Sequence, residues 1–73
     1  MKFTVKDFCE TITCGWETSV TLLNKNGHQL YEDGLNVAKV MLQKTGYYTA
    51  NITNIKIETA DDLVDLILTL DYF

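Results

Sequence analysis

Apolar residues recur along this chain at two different periods, and the changes between them divide it into six elements. From Phe3 to Ile12 the spacing is helical, with Val5, Phe8, Cys9 and Ile12 on one face. Thr4 stands where an N-cap belongs, and Asp7 three residues on approximates a capping box and suits the positive end of the helix. Phe3 and Phe8 have the spacing of a hydrophobic staple. The pattern predicts a two-turn helix over residues 5–12, closed by Thr13 to Gly15. It is too short to persist without packing on something.

The next segment, WETSVTLL, alternates. Trp16, Thr18, Val20 and Leu22 fall on one side of a strand, and Glu17, Ser19, Thr21 and Leu23 on the other. His28 to Asp33 reads as its hairpin partner, with Leu30 and Tyr31 on opposite faces. The connecting NKNGH admits two registers. A two-residue loop at Asn26-Gly27 pairs Lys25 with His28 and sets Leu22 opposite Tyr31. A three-residue loop, Lys25 to Gly27, pairs Asn24 with His28 and Leu22 with Leu30, and requires a left-handed Gly27. The second gathers Trp16, Val20, Leu22 and Leu30 on one buried side and leaves Lys25 and His28 in solvent. It is the register expected.

GLNVAKVMLQKTG then returns to helical spacing. Leu35, Ala38, Met41 and Leu42 form a stripe that Val37 and Val40 widen, Asp33 or Asn36 can cap it, Lys44 suits its last turn and Gly46 its end. From Tyr47 the pattern alternates again through YYTANITNIKIE. Its phase slips between Ile52 and Ile55, which predicts a bulge near Thr53-Asn54. A turn at Thr59 to Asp62 leads to LVDLILTLDY, with Val64, Leu66, Leu68 and Leu70 inward and the mixed set Leu63, Asp65, Ile67, Thr69 and Asp71 outward. The expected fold is α+β, in the order α-β-β-α-β-β, as an antiparallel four-stranded sheet with two helices packed on one face. The intervening helix also permits a parallel neighbour between the second and third strands through a crossover; the pattern leaves the strand order open.

With 73 residues the chain makes a single domain, 1–73, whose core is thin enough that dimerisation would be a natural remedy. The apolar share of 47% excludes a disordered acidic chain. No apolar run approaches the length of a membrane span, and the first ten residues turn polar too early for a signal peptide. With two cysteines that make no disulfide framework, the expected compartment is the reducing cytoplasm.

Ten acids against six lysines give a net charge of −4, and there is no arginine. Arginine is the usual bidentate reader of phosphate and guanine, so direct nucleic-acid binding is not expected. From Glu58 to Asp71 five acids (Glu58, Asp61, Asp62, Asp65, Asp71) occur without a lysine, which suits a partner with a basic surface.

Candidate chemistry is sparse. Asn24, Asn26 and Gly27 lack the acid at the first position and the closing Glu of a calcium loop, and Lys25 would sit inside it, so NKNGH reads as a plain turn. His28, the single histidine, is expected exposed. Cys9, Cys14 and His28 lack zinc-finger spacing, and no metal or cofactor is expected. Cys9 belongs to the helix's apolar face. Cys14, near a helix C-terminus, lacks the cation or helix N-terminus that would lower a thiol's pKa. Glu32 and Asp33 point apart on a strand, and Asp61-Asp62 sits in a turn, so neither makes a convergent carboxylate pair. Enzymatic activity is not expected.

The aromatics carry a different signal. Tyr31, Tyr47, Tyr48 and Tyr72, with Trp16 and Phe73, are many for so short a chain, and Tyr and Trp are favoured in binding hot spots. Tyr31, Tyr47, Tyr48 and Tyr72 together with Asp61, Asp62, Asp65 and Asp71 are the expected protein-contact residues. The expectation is a non-catalytic, self-associating interaction domain, a homodimer. The alternative is an acidic decoy that inhibits a host enzyme or defence complex by occupying its nucleic-acid groove. In composition the chain resembles small acidic accessory proteins of phages and mobile elements of bacteria with AT-rich genomes.

Overall fold

The computed structural model describes residues 3–12 and 18–72. The expected roles of Trp16 in the first strand, of Cys14 and its turn, and of Phe73 lie outside them. Helix α1 spans Val5–Thr11. Thr4 Oγ1 accepts from the Asp7 amide at 3.2 Å, and Asp7 Oδ2 accepts from the Thr4 amide at 3.0 Å, so the capping box is closed in both directions. Strands β1 (Thr18–Leu23) and β2 (Gln29–Gly34) form the first hairpin. Helix α2 spans Leu35–Met41 and tightens into a 3-10 turn at Leu42–Lys44, where both the amide and the hydroxyl of Thr45 donate to the Leu42 carbonyl. A second 3-10 turn, Gly46–Thr49, leads to β3 (Ile52–Ala60) and β4 (Leu63–Leu70).

The four strands form one sheet in the order β2-β1-β4-β3. Both hairpins are antiparallel, but they join through a parallel pairing of β1 with β4, from Thr18 beside Val64 to Leu23 beside Thr69. The sheet is therefore mixed, not purely antiparallel as expected. The parallel contact lies between the first and last strands, not the second and third. Sequence separation hides it: the most apolar strands, β1 and β4, take the centre, and each keeps its own hairpin partner on the outside.

Val20 and Leu22 of β1 share a face with Leu66, Leu68 and Leu70 of β4, as the pairings Val20–Leu66 and Leu22–Leu68 require. Val5, Phe8 and Cys9 of α1, Leu35 and Ala38 of α2, and Leu42 pack on that face and complete the core. Burial pushes the Cys9 thiol pKa up, which fits an inert core residue; the charge of Lys39 opposes this more weakly. Lys39 Nζ donates to the Ile12 carbonyl and so links α2 to the end of α1. Met41, expected in the buried stripe of α2, and Val37 and Val40, expected to widen it, instead face solvent. Only Leu35, Ala38 and Leu42 look inward, because so short a helix presents one narrow line to the sheet.

The NKNGH loop has the expected three-residue form. The Asn24 amide donates to the His28 carbonyl at 2.8 Å, and Gly27 is left-handed at φ 87°. Asn24 Oδ1 accepts from the amides of Asn26 and His28, both at 2.9 Å, and the His28 residue is exposed. The register beyond the loop differs from expectation. Leu23 pairs with Gln29 and Leu22 with Tyr31, so Leu30 is the extra residue of a bulge. The bulge reverses the alternation of β2 and brings Tyr31, not Leu30, directly opposite Leu22. The expected slip near Thr53-Asn54 is present as a register shift between Ile52 and Asn54. Tyr47 to Thr49, read as the start of a strand, form the second 3-10 turn; Tyr47 and Tyr48 therefore do not alternate across a sheet but lie half-buried against the core.

Candidate functional site

The eight residues expected to make protein contacts do not form one patch. Tyr31 stands on the helix-covered face, half-buried, and its hydroxyl donates to Asp33 Oδ2 at 3.4 Å. Desolvation and the neighbouring Asp33 carboxylate raise its phenol pKa. Tyr47 meets Tyr72 edge-to-face, with ring centroids 5.1 Å apart and planes at 82°. Tyr48 packs on the core nearby. The Tyr72 carbonyl accepts from the Lys25 amide at 2.9 Å, and Asp71 lies 3.5 Å from Lys25 Nζ. Tyr47, Tyr72 and Asp71 thus gather where the chain leaves β4 and touches the first loop.

Asp61, Asp62 and Asp65 lie toward the other end of β4. Asp61 and Asp62 are the exposed two-residue tip between β3 and β4, and Asp61 is left-handed at φ 55°. At about 3.3 Å per residue, the nine steps from Asp62 to Asp71 span roughly 30 Å, close to the longest dimension of the fold, 32 Å. Asp71 therefore belongs to a different region from the other three, and its charge is met by Lys25.

Among the described residues, no helix covers the sheet face opposite the core. On that face Asp65, near the hairpin end of the central strand β4, accepts from Ser19 Oγ at 3.2 Å and Thr21 Oγ1 at 3.3 Å; Glu32 Oε2 reaches the same Thr21 hydroxyl at 3.4 Å. Glu58 lies directly opposite Asp65. Ser19, Glu58, Thr59, Ala60, Leu63 and Asp65 border an open depression of about 390 Å³. Its acids and hydroxyls offer acceptors for a basic group. Among the described residues, no three His, Cys, Asp or Glu side chains converge as metal ligands would, and no helix is long and apolar enough to cross a membrane.

Strand β3 is the more exposed feature. It is nine residues long and forms one edge of the sheet. The segment before α1 shields only its start: Ile52 donates to the Phe3 carbonyl at 2.7 Å, Val5 donates to the Ala50 carbonyl at 3.1 Å, and Thr4 bridges to Asn51. From residue 53 to 60 the edge has no partner among the described residues. Ile55 and Ile57 face the helix side, opposite Leu68 and Leu66, yet are 46% and 63% exposed because α2 lies over β1 and β2 and α1 packs against the second 3-10 turn. Lys56 and Glu58 share the open face and form an ion pair at 3.7 Å.

The alternation of Ile55 and Ile57 was legible as a strand, but their exposure was not, because periodicity does not reveal which strand lies at an edge. The same holds for Val37, Val40 and Met41. No family model, no curated protein and no solved structure matches this chain.

Proposed function

We propose that this chain is a non-catalytic protein-interaction domain that self-associates in the cytoplasm, of the kind carried by phages or mobile elements. One observation carries the interaction reading. A long edge strand with an open hydrogen-bonding side also exposes two isoleucines, and such an edge is a template for pairing with another chain. The exposed Val37, Val40 and Met41 of α2 add a second apolar surface. The phage or mobile-element setting rests on composition alone. Light scattering of the purified protein over a dilution series tests self-association: the mass should rise above 8.3 kDa with concentration, and a constant monomer mass would end this reading.

One observation favours the acidic decoy as a second reading. Glu58, Asp61, Asp62 and Asp65 cluster around one hairpin end, and their nearest lysine along the chain is Lys56. Such a cluster suits a basic groove on a nucleic-acid enzyme. Capture of a nuclease or polymerase from bacterial lysate that weakens as salt rises, and is lost when Asp61, Asp62 and Asp65 are all changed to Asn, is the expected result. Capture that survives the triple change would reduce the cluster to a solvated face.

A further inference from the structure

We propose that the partner of the β3 edge is a second copy of the same strand, paired antiparallel about a two-fold axis at Ile57. This deepens the self-association reading and rests on it.

Backbone geometry decides which groups are available. Ala60 and Leu63 flank the two-residue turn, and in such a hairpin the flanking pair exchanges both backbone hydrogen bonds. Bonded and non-bonded pairs then alternate along an antiparallel ladder. Glu58–Asp65 and Lys56–Ile67 are bonded pairs, whereas Thr59–Val64, Ile57–Leu66 and Ile55–Leu68 are not. The N–H and C=O groups of Ile55, Ile57 and Thr59 therefore point away from β4, toward the open edge.

A two-fold axis through Ile57 uses all three. Ile57 exchanges both bonds with its own copy, and Ile55 exchanges both with the partner's Thr59, as Thr59 does with the partner's Ile55. Between them, Lys56 falls opposite the partner's Glu58, and Glu58 opposite the partner's Lys56. Other axes do worse. Centring on Lys56 or Glu58 sets like charges face to face, which is destabilising. Centring on Ile55 puts Lys56 opposite the partner's Asn54 and matches no charge. The Ile57 register alone combines matched charges with an apolar line, Ile55 and Ile57 with their copies, on the helix side. The two sheets would join into one of eight strands.

Charge reversals separate this register from a general effect of net charge. Lys56→Glu makes the chain more negative and Glu58→Lys makes it less so. Simple repulsion between acidic chains would predict that the second strengthens association. In the Ile57 register each reversal creates two like-charged pairs, so each should weaken the dimer about tenfold or more. The double reversal restores opposite charges and should restore dimerisation. Ile57→Pro is the backbone control. It removes an outward N–H that β4 does not use, so the monomer should keep its fold while the dimer is lost.

Sedimentation equilibrium of the wild type, both single reversals, the double reversal and Ile57→Pro, with circular dichroism on each, gives the answer. Loss with either single reversal and with Ile57→Pro, and recovery with the double, is expected. A wild-type dimer that all four variants leave intact would overturn the β3 pairing and leave self-association standing through another surface. A dimer strengthened by Glu58→Lys would overturn the register. A wild-type chain that stays monomeric would assign the edge to a foreign strand and overturn both this pairing and self-association.

Discussion

Leu22 lies directly opposite Tyr31, although the loop joining their strands pairs Asn24 with His28. The extra residue, Leu30, reconciles the two. Deleting Leu30 should straighten β2 without changing which residue meets Leu22, at a cost of about 1–2 kcal/mol for a half-buried leucine. Deleting Glu32 removes a residue from the regular part of the ladder and turns its neighbours to the wrong face. Urea titrations should rank the Glu32 deletion as clearly the more damaging; equal losses would mean that the bulge does not set the register.

The β3–β4 tip stores a removable strain. Asp61 is left-handed, where a side chain is disfavoured and glycine is not. Asp61→Gly should raise the stability by roughly 0.5–1 kcal/mol, relief of strain outweighing the added flexibility of the unfolded chain. Its replacement also thins the acidic cluster, so the gain should be somewhat larger at low salt. A lower denaturation midpoint would contradict this account.

Thr4 and Asp7 act as one unit at the start of α1. Thr4→Ala should cost about 1 kcal/mol. Because each residue's bond is part of the same box, Thr4→Ala with Asp7→Ala should cost less than the sum of the singles. A double-mutant cycle by chemical denaturation measures the difference, and strict additivity would deny the reciprocal bonding.

Leu68 and Ile57 are both apolar residues of the sheet, but only Leu68 is fully buried. Leu68→Ala should cost about 2–5 kcal/mol, a large part of the roughly 5 kcal/mol a domain this small can be expected to have. Ile57→Ala should change the stability of the monomer by no more than about 0.5 kcal/mol. Thermal melts at low protein concentration, where association is suppressed, check the contrast.

Cys9 and Tyr31 both have raised pKa values in the fold. Each is therefore held neutral in the native state to higher pH than in the unfolded chain. As pH rises through the ordinary thiol range near about 8.5 and the phenol range near about 10, the unfolded chain loses these protons first. Stability should fall over that interval. Urea midpoints between neutral pH and alkaline pH should decline, and less steeply in Cys9→Ala. In a Cys14→Ser background, Cys9 should react with iodoacetamide slowly in buffer and quickly in urea.

The sequence made local structure readable wherever one side chain decided it. Thr4 and Asp7 announced a helix start, Gly27 a left-handed corner, and the phase change after Ile52 a bulge. These signals span only a few residues. The bulge at Leu30 left no signal of its own: Leu30 and Tyr31 are both apolar enough to face a core, and gathering the aliphatic residues on one side favoured Leu30, the wrong one, opposite Leu22. Tyr47 and Tyr48 mimicked a strand because aromatic residues favour strands, but the amides of Tyr48 and Ala50 turn back to the carbonyls of Thr45 and Tyr47, and the resulting tight turn packs against α1. The pairing of β1 with β4 left no local mark. The exposed edge follows from that pairing, so the candidate interaction site was hidden with it. The acidic cluster around Asp61, Asp62 and Asp65 could be read directly, because charge needs no fold to be counted.

The central position of β4 also sets an order of events during synthesis. Each hairpin can form from neighbouring residues, but the first has no third strand beside it until Val64 to Thr69 arrive next to Thr18 to Leu23. A ribosome must therefore release nearly everything through Leu70 before the core can close, and until then the apolar faces of β1, α1 and α2 have no common support. A chain stalled or cleaved before β4 would lose not one edge of the protein but the strand on which both halves meet.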